Sequence, residues 1–179
     1  MAEFLWIFWS FSLLGWVLER LFAAVTRSPQ RRRRCLLLLP LCPVYGLGMA
    51  AVLALPPSLR SGWPLYLWGG LTATSVEYIY HWWGETFLSV SFWDYTGVFG
   101  NLRGRVCLPF SLAWGLLLFP AVYLVTPPVL ALADRVPVGV TWWLLLAFTA
   151  DAVCSLRFLA VTHDLEALRA VIWPVSGDR

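Results

Sequence analysis

SFWDYTGVFGNLRGRVCL, residues 91–108, gathers an Asp, an Asn, two Arg and three Gly between two long apolar segments. Its neighbours set the fold class. Apolar runs at roughly 4–25, 36–56, 63–88, 106–126 and 137–158 each approach the ~20 residues needed to cross a bilayer. Within lipid, every backbone polar group must be bonded inside its own segment, so such runs are helices. The stretch 91–108 is then a break between the third and fourth of five membrane helices. SPQRRRR (28–34), PPSLRSG (56–62) and TPPV (126–129) are the other breaks. The last two are proline stops, because proline lacks a backbone donor.

Composition agrees with this reading. The 179 residues are 60% hydrophobic and 13% charged, with mean hydropathy +0.72. Soluble domains carry about 25% charge, so a soluble globule is excluded and an all-α integral membrane protein is expected. The 12 Trp fit a membrane–water interface. The first apolar run lacks a basic leader and has spanning length, so it is read as a retained helix rather than a signal peptide.

All 13 basic residues are Arg, and net charge is +3. Eleven of them fall on one side of the proposed membrane, and Arg60 and Arg135 on the other. Basic loops stay cytoplasmic. The N-terminus is therefore expected outside and the C-terminus inside, with 91–105 facing the cytoplasm of a cell (inner) membrane protein. Residues 1–158 form one transmembrane bundle, and 159–179 form an amphipathic, cytoplasmic tail. Within RFLAVTHDLEALRAVIW (157–173), apolar residues recur at helical spacing, as in an interfacial helix continuing from helix five.

The chain also suggests a duplication. WVLE (16–19) and WWGE (82–85) end helices one and three, and PLCPVYG (40–46) and PFSLAWG (109–115) open helices two and four. Helices 1–2 and 3–4 would be parallel repeats about an axis along the membrane normal. Helix five has no counterpart.

Ionisable groups inside membranes are costly and face a bundle interior or a water-filled cavity. Here they are Glu19, Glu77, Glu85 and Asp151, with His81. Glu77, His81 and Glu85 follow at i, i+4 and i+8 on one helix face. Most of this set, with Tyr45, Trp114 and the loop residues Asp94, Asn101, Arg103 and Arg105, gathers in the cytoplasmic half. The stretch 91–108 is thus the floor or rim of a polar cavity open to the cytoplasmic side. Trp93, Tyr95 and Phe99 would anchor it at the headgroups. Gly97, Gly100 and Gly104 permit positive φ, and Arg103 and Arg105 suit buried carboxylates or a phosphate. Glu85 with Arg105, and Glu19 with Arg20, also fit plain structural ion pairs. Cys35, Cys42, Cys107 and Cys154 show neither disulfide-scaffold nor zinc spacing, although Cys42 and Cys107 could approach across the bundle. No metal and no cofactor are implied.

GWVLE (15–19), PLCPVYGLG (40–48), Glu77-Tyr78, WDYT (93–96), NLRGRVCL (101–108), AWG (113–115) and Asp151 together resemble the bacterial putative ABC-transporter type IV, permease-like family. Eukaryotic transmembrane protein 229 resembles the same family, chiefly through its WDY stretch. The resemblance covers roughly 4–156. Family members usually carry Gly-Phe-Leu-x-Gly before Pro-x-Cys-Pro, and here Cys35 and Leu39 replace those glycines. The resemblance implies a multi-pass membrane protein acting as a permease-like transport component.

The sequence has no GxxxxGK[ST] motif, so ATP hydrolysis would need a separate ATPase subunit. Five helices are few for a path, which implies a homo-oligomer. The partners are the lipid bilayer and such subunits, with no nucleic acid. Two alternatives stand beside the permease: a membrane-embedded enzyme handling a lipid or isoprenoid phosphate, and a non-catalytic assembly subunit.

Overall fold

The computed structural model describes residues 1–26 and 35–172, without the side chains of 169–172. The run Arg31–Arg34 and the end of the tail lie outside the described residues, as does the orientation argument drawn from them. The described chain is helical: α1 (Ala2–Thr26), α2 (Pro43–Leu53), α3 (62–88), α4 (Leu108–Ala133), α5 (Val138–Thr162) and α6 (Leu165–Ile172). Three of these, α1, α4 and α5, are long and apolar enough to cross a membrane. The chain is therefore an all-helical membrane protein.

α3 is continuous but falls outside that apolar set, because its Gly, Thr, Tyr and Trp residues, together with Glu77, His81 and Glu85, lower its hydropathy. π-helical turns sit near both its ends, at Leu65–Gly69 and Gly84–Leu88. The second turn stops at Ser89 with φ 56°.

α2 differs from the expected full-length second helix. It has 11 residues, about 17 Å of helix at 1.5 Å per residue. Residues 36–40 are bent instead. Pro40 and Pro43 remove two donors, and the Leu38 and Leu39 N–H groups donate to Asp151 at 3.1 and 3.0 Å. This fold-back also corrects the cysteine reading. Cys35 and Cys42 are joined by a disulfide with their Cα atoms 5.3 Å apart, while Cys107 is buried and free. A spacing of seven residues does not announce a bridge; the bend at 36–40 creates it.

α4 runs through the TPPV stretch expected to stop it. A π-helical turn at Ala121–Val125 follows Pro120, and the Thr126 hydroxyl donates to the Ala121 carbonyl at 2.8 Å. The Thr126 backbone N–H donates to the same carbonyl, so the hydroxyl is a second donor to the oxygen that closes the π turn. The tail helix does not continue α5. His163 takes φ 52°, and the Asp164 carboxylate accepts the N–H groups of Glu166 and Ala167 at 2.8 and 3.2 Å. That is a new N-cap, and it turns Leu165 and Leu168 into the core.

α1, α2, α3 and α4 close a ring in which each packs on the next and α1 meets the second half of α4. Close helix approach depends on small residues. A Cβ at Gly46 would lie 2.4 Å from the Phe8 carbonyl oxygen, and one at Gly115 2.8 Å from that of Tyr66. α5 lies outside this ring, touching α1 and the end of α3.

Candidate functional site

The stretch 91–107 is folded on itself by local chemistry. Tyr95 N–H donates to the Gly104 carbonyl at 2.8 Å, and Leu102 bridges Val106. Asn101 braces the turn, donating to the Val98 carbonyl at 2.9 Å and accepting the Gly104 N–H at 3.2 Å. Gly97, Gly100 and Gly104 all have positive φ, and Arg103 joins them at 54°. Gly104 has a second reason to lack a side chain, since a Cβ would press within 2.9 Å of the Asp94 carboxylate. Asp94 is exposed and accepts the Thr96 N–H at 2.7 Å. Hydrogen bonds from the Thr96 side chain and backbone hold its carboxyl below the usual carboxylate range.

This folding turns two aromatics inward, against the expectation of headgroup anchors. Trp93 and Tyr95 are buried, and Phe99 alone is exposed. Trp93 Nε1 donates to the Arg105 carbonyl at 2.7 Å.

Tyr95 instead reaches Glu77. This carboxylate is 1% exposed. Its Oε1 accepts from the Tyr95 hydroxyl at 3.1 Å and its Oε2 from Trp114 Nε1 at 2.7 Å. The Trp114 ring meets Tyr45 edge-to-face at 5.1 Å, and the Tyr45 hydroxyl donates to Glu19 Oε1. One chain of contacts thus links Glu77, Trp114, Tyr45 and Glu19 across α3, α4, α2 and α1.

A second cluster stands beside it. His81 Nε2 lies 3.1 Å from Glu85 Oε1 and 3.3 Å from Ser91 Oγ. Arg105 Nε donates to Glu85 Oε2 at 2.7 Å, and its Nη1 donates to the Tyr78 hydroxyl at 2.8 Å. The expected Glu85–Arg105 pair is therefore present. Arg20 lies over the Trp16 ring at 5.1 Å. Asp151 is apart from both clusters, holding residues 38–39 and accepting from Ser155 at 3.0 Å.

Two chambers adjoin the Tyr45–Trp114 contact. The first, about 380 Å³, is walled by apolar side chains of α1, α2 and α4, with Glu77 in its lining. Leu14, Leu18, Leu21 and Leu117 line it and are exposed on the outer apolar surface, so it opens sideways. The second, about 400 Å³, lies toward the stretch 91–107 and includes Glu19, Asp94, Tyr95 and Phe110. Leu18, Tyr45, Trp114 and Leu117 line both.

Of the eleven residues expected at the site, Glu19, Tyr45, Glu77, Asp94 and Trp114 border the chambers. His81, Glu85 and Arg105 form the adjoining cluster, Asn101 and Arg103 shape the turn, and Asp151 serves the bent segment. Sequence reasoning missed Tyr78 and Ser91. Tyr78 stands seven residues before Glu85 on one helix face, which was a usable signal.

A family model described as putative ABC-transporter type IV matches residues 6–156. The match covers most of the chain, which belongs to that family. No curated protein and no solved structure matches it.

Proposed function

We propose that this member of the putative ABC-transporter type IV family is the membrane-embedded component of a transport assembly. Its cargo would enter the paired chambers between α1 and α4. The observation that carries the reading is Glu77, a buried carboxylate in α3 that accepts hydrogen bonds from Tyr95 and Trp114 and borders the first chamber. Intramembrane ionisable groups mark substrate and ion paths.

In this reading the chain crosses the cell (inner) membrane five times, with its N-terminus outside and C-terminus in the cytoplasm. The bent residues 36–42 and α2 together make the second pass. Residues 1–158 act as one bundle, and the chamber beside 91–107 opens to the cytoplasm. The two hairpins are related by duplication, a separate ATPase supplies the energy, and copies of the chain associate to complete the path.

Arg105 supports the permease over a phosphate-handling enzyme. Its guanidinium is committed to Glu85 and Tyr78, and Arg103 is exposed on the turn.

The test is Glu77→Gln in the purified assembly. The transport reading expects the complex to stay intact while cargo-dependent ATP turnover is lost. Dissociation of the complex at unchanged turnover per ATPase would favour an assembly subunit.

A further inference from the structure

We infer that the first chamber takes one hydrocarbon chain of a membrane lipid. The inference deepens the transport reading, on which it rests for calling that lipid cargo. Protein interiors are close-packed, with few voids larger than a water molecule. A chamber of about 380 Å³ has the size of a small-ligand site, so it is a feature of the fold rather than loose packing.

Two backbone features make the room. Gly48 is buried on α2 and lines the chamber, yet a Cβ there would have no atom within 4 Å. The space that its missing side chain leaves therefore belongs to the chamber. This sets Gly48 apart from Gly15 and Gly46, where an added Cβ would strike Tyr45 and Phe8. On the α4 wall, Ala121 and Val125 begin and end the π-helical turn, and both line the chamber. Such turns recur at functional sites.

The lining decides the chemistry of the occupant. Phe11, Val44, Met49 and Leu118 are buried and apolar. Tyr45, Glu77 and Trp114 also line it, and their polar atoms are hydrogen-bonded within the chain. A polar head placed among these side chains would lose its hydration without gaining partners, whereas a hydrocarbon gains the dispersion contacts that a void forfeits. Leu14, Val17, Leu18 and Leu21 of α1 line the chamber and are exposed, on a helix long and apolar enough to cross a membrane. The chamber is therefore continuous with the lipid-facing surface. A chain enters from the bilayer without crossing water, and its head stays outside the mouth.

Photolabelling of the full chain tests this, in vesicles of dioleoyl phosphatidylcholine doped with a phosphatidylcholine that carries a diazirine at the end of one acyl chain. Labelled residues are read by peptide mass spectrometry. Label is expected on Met49, which is 3% exposed, as well as on Trp143, which is exposed on α5. Gly48→Leu, displacing about two methylenes of the occupant, should lower the Met49 label about tenfold and leave the Trp143 label unchanged. A Gly48→Leu protein that no longer elutes as a single species is replaced by Ala73→Leu, in the chamber lining on α3, for which the same loss is expected. Label at Trp143 with none at Met49, or an undiminished Met49 label in the variant, would overturn the inference. A chain with no chamber label that still co-purifies with an ATPase loses the lipid site and keeps the transport reading. A labelled chamber without an ATPase partner keeps the lipid site and loses its role in transport.

Discussion

Tyr45 opens α2 and Trp114 opens α4, each followed by a glycine, and each hydrogen-bonds a carboxylate of the helix before it. The carboxylates differ. Tyr45 takes Glu19, near the end of α1 and half-buried, whereas Trp114 passes over Glu85 and takes the buried Glu77 two turns deeper. Glu85 is already occupied by His81 and Arg105. The connecting segments differ in the same way. Residues 91–107 are held by their own hydrogen bonds and glycines and by Glu77 and Glu85 of α3, while 35–41 are held by Asp151 of α5 and by the Cys35–Cys42 bridge that closes the bend. One signature thus serves two ends: a joint near the surface in the first hairpin, and a buried polar site in the second.

The sharpest way to break this comparison is at the glycines. Gly46→Ala forces a methyl against the Phe8 backbone and should cost about 3 kcal/mol, at the upper end for overpacking. Gly48→Ala, with no atom within 4 Å of its added Cβ, should be neutral or stabilise by up to about 1 kcal/mol. Thermal unfolding of both variants in detergent checks the contrast. Equal losses would mean that α1 and α2 are not packed through Gly46.

Next comes the depth of the two carboxylates. Glu77→Gln turns two charge-assisted hydrogen bonds into neutral ones and should destabilise by about 2–3 kcal/mol. Glu19→Gln, on a half-buried site where the Tyr45 hydroxyl donates to the carboxylate, should cost about 1 kcal/mol. A reversed order would remove the distinction between the hairpins.

The segments give a smaller effect. Asp151→Asn weakens two backbone contacts and should destabilise by about 1 kcal/mol. Hydrogen exchange should then accelerate at Leu38 and Leu39 and stay unchanged at Tyr95 and Gly104.

The smallest effect is a titration. The Asp94 carboxyl is held below its usual range by Thr96, so its contribution is complete above the ordinary carboxylate pKa. That contribution is lost as pH falls through the lowered folded-state value. The Thr96 amide resonance should shift at that pH in the wild type and not in Asp94→Asn.

The same contrast explains what was legible in the sequence. Local chemistry could be read: the apolar runs of α1, α4 and α5, the glycines at 97, 100 and 104, and Glu77 as a carboxylate facing the interior of the bundle. Features that depend on a distant partner could not. Asp151 unwinds residues more than a hundred positions away, and that fold-back brings Cys35 to Cys42. α4 continues past Pro127 and Pro128 through the π-helical turn at Ala121–Val125. The break at His163 has no Gly or Pro to announce it. Trp93 and Tyr95 turned inward because Arg105 and Glu77 offer partners that an average preference for the interface does not contain.

The central claim is that this chain serves transport as one part of an assembly. Affinity purification of the tagged protein from membranes in mild detergent, with identification of every stoichiometric component, tests it most directly. The account predicts an ATPase subunit recovered in fixed ratio with the chain, in wild type and in Glu77→Gln alike. Recovery of the chain with no ATPase, from membranes in which it is folded and inserted, would contradict it.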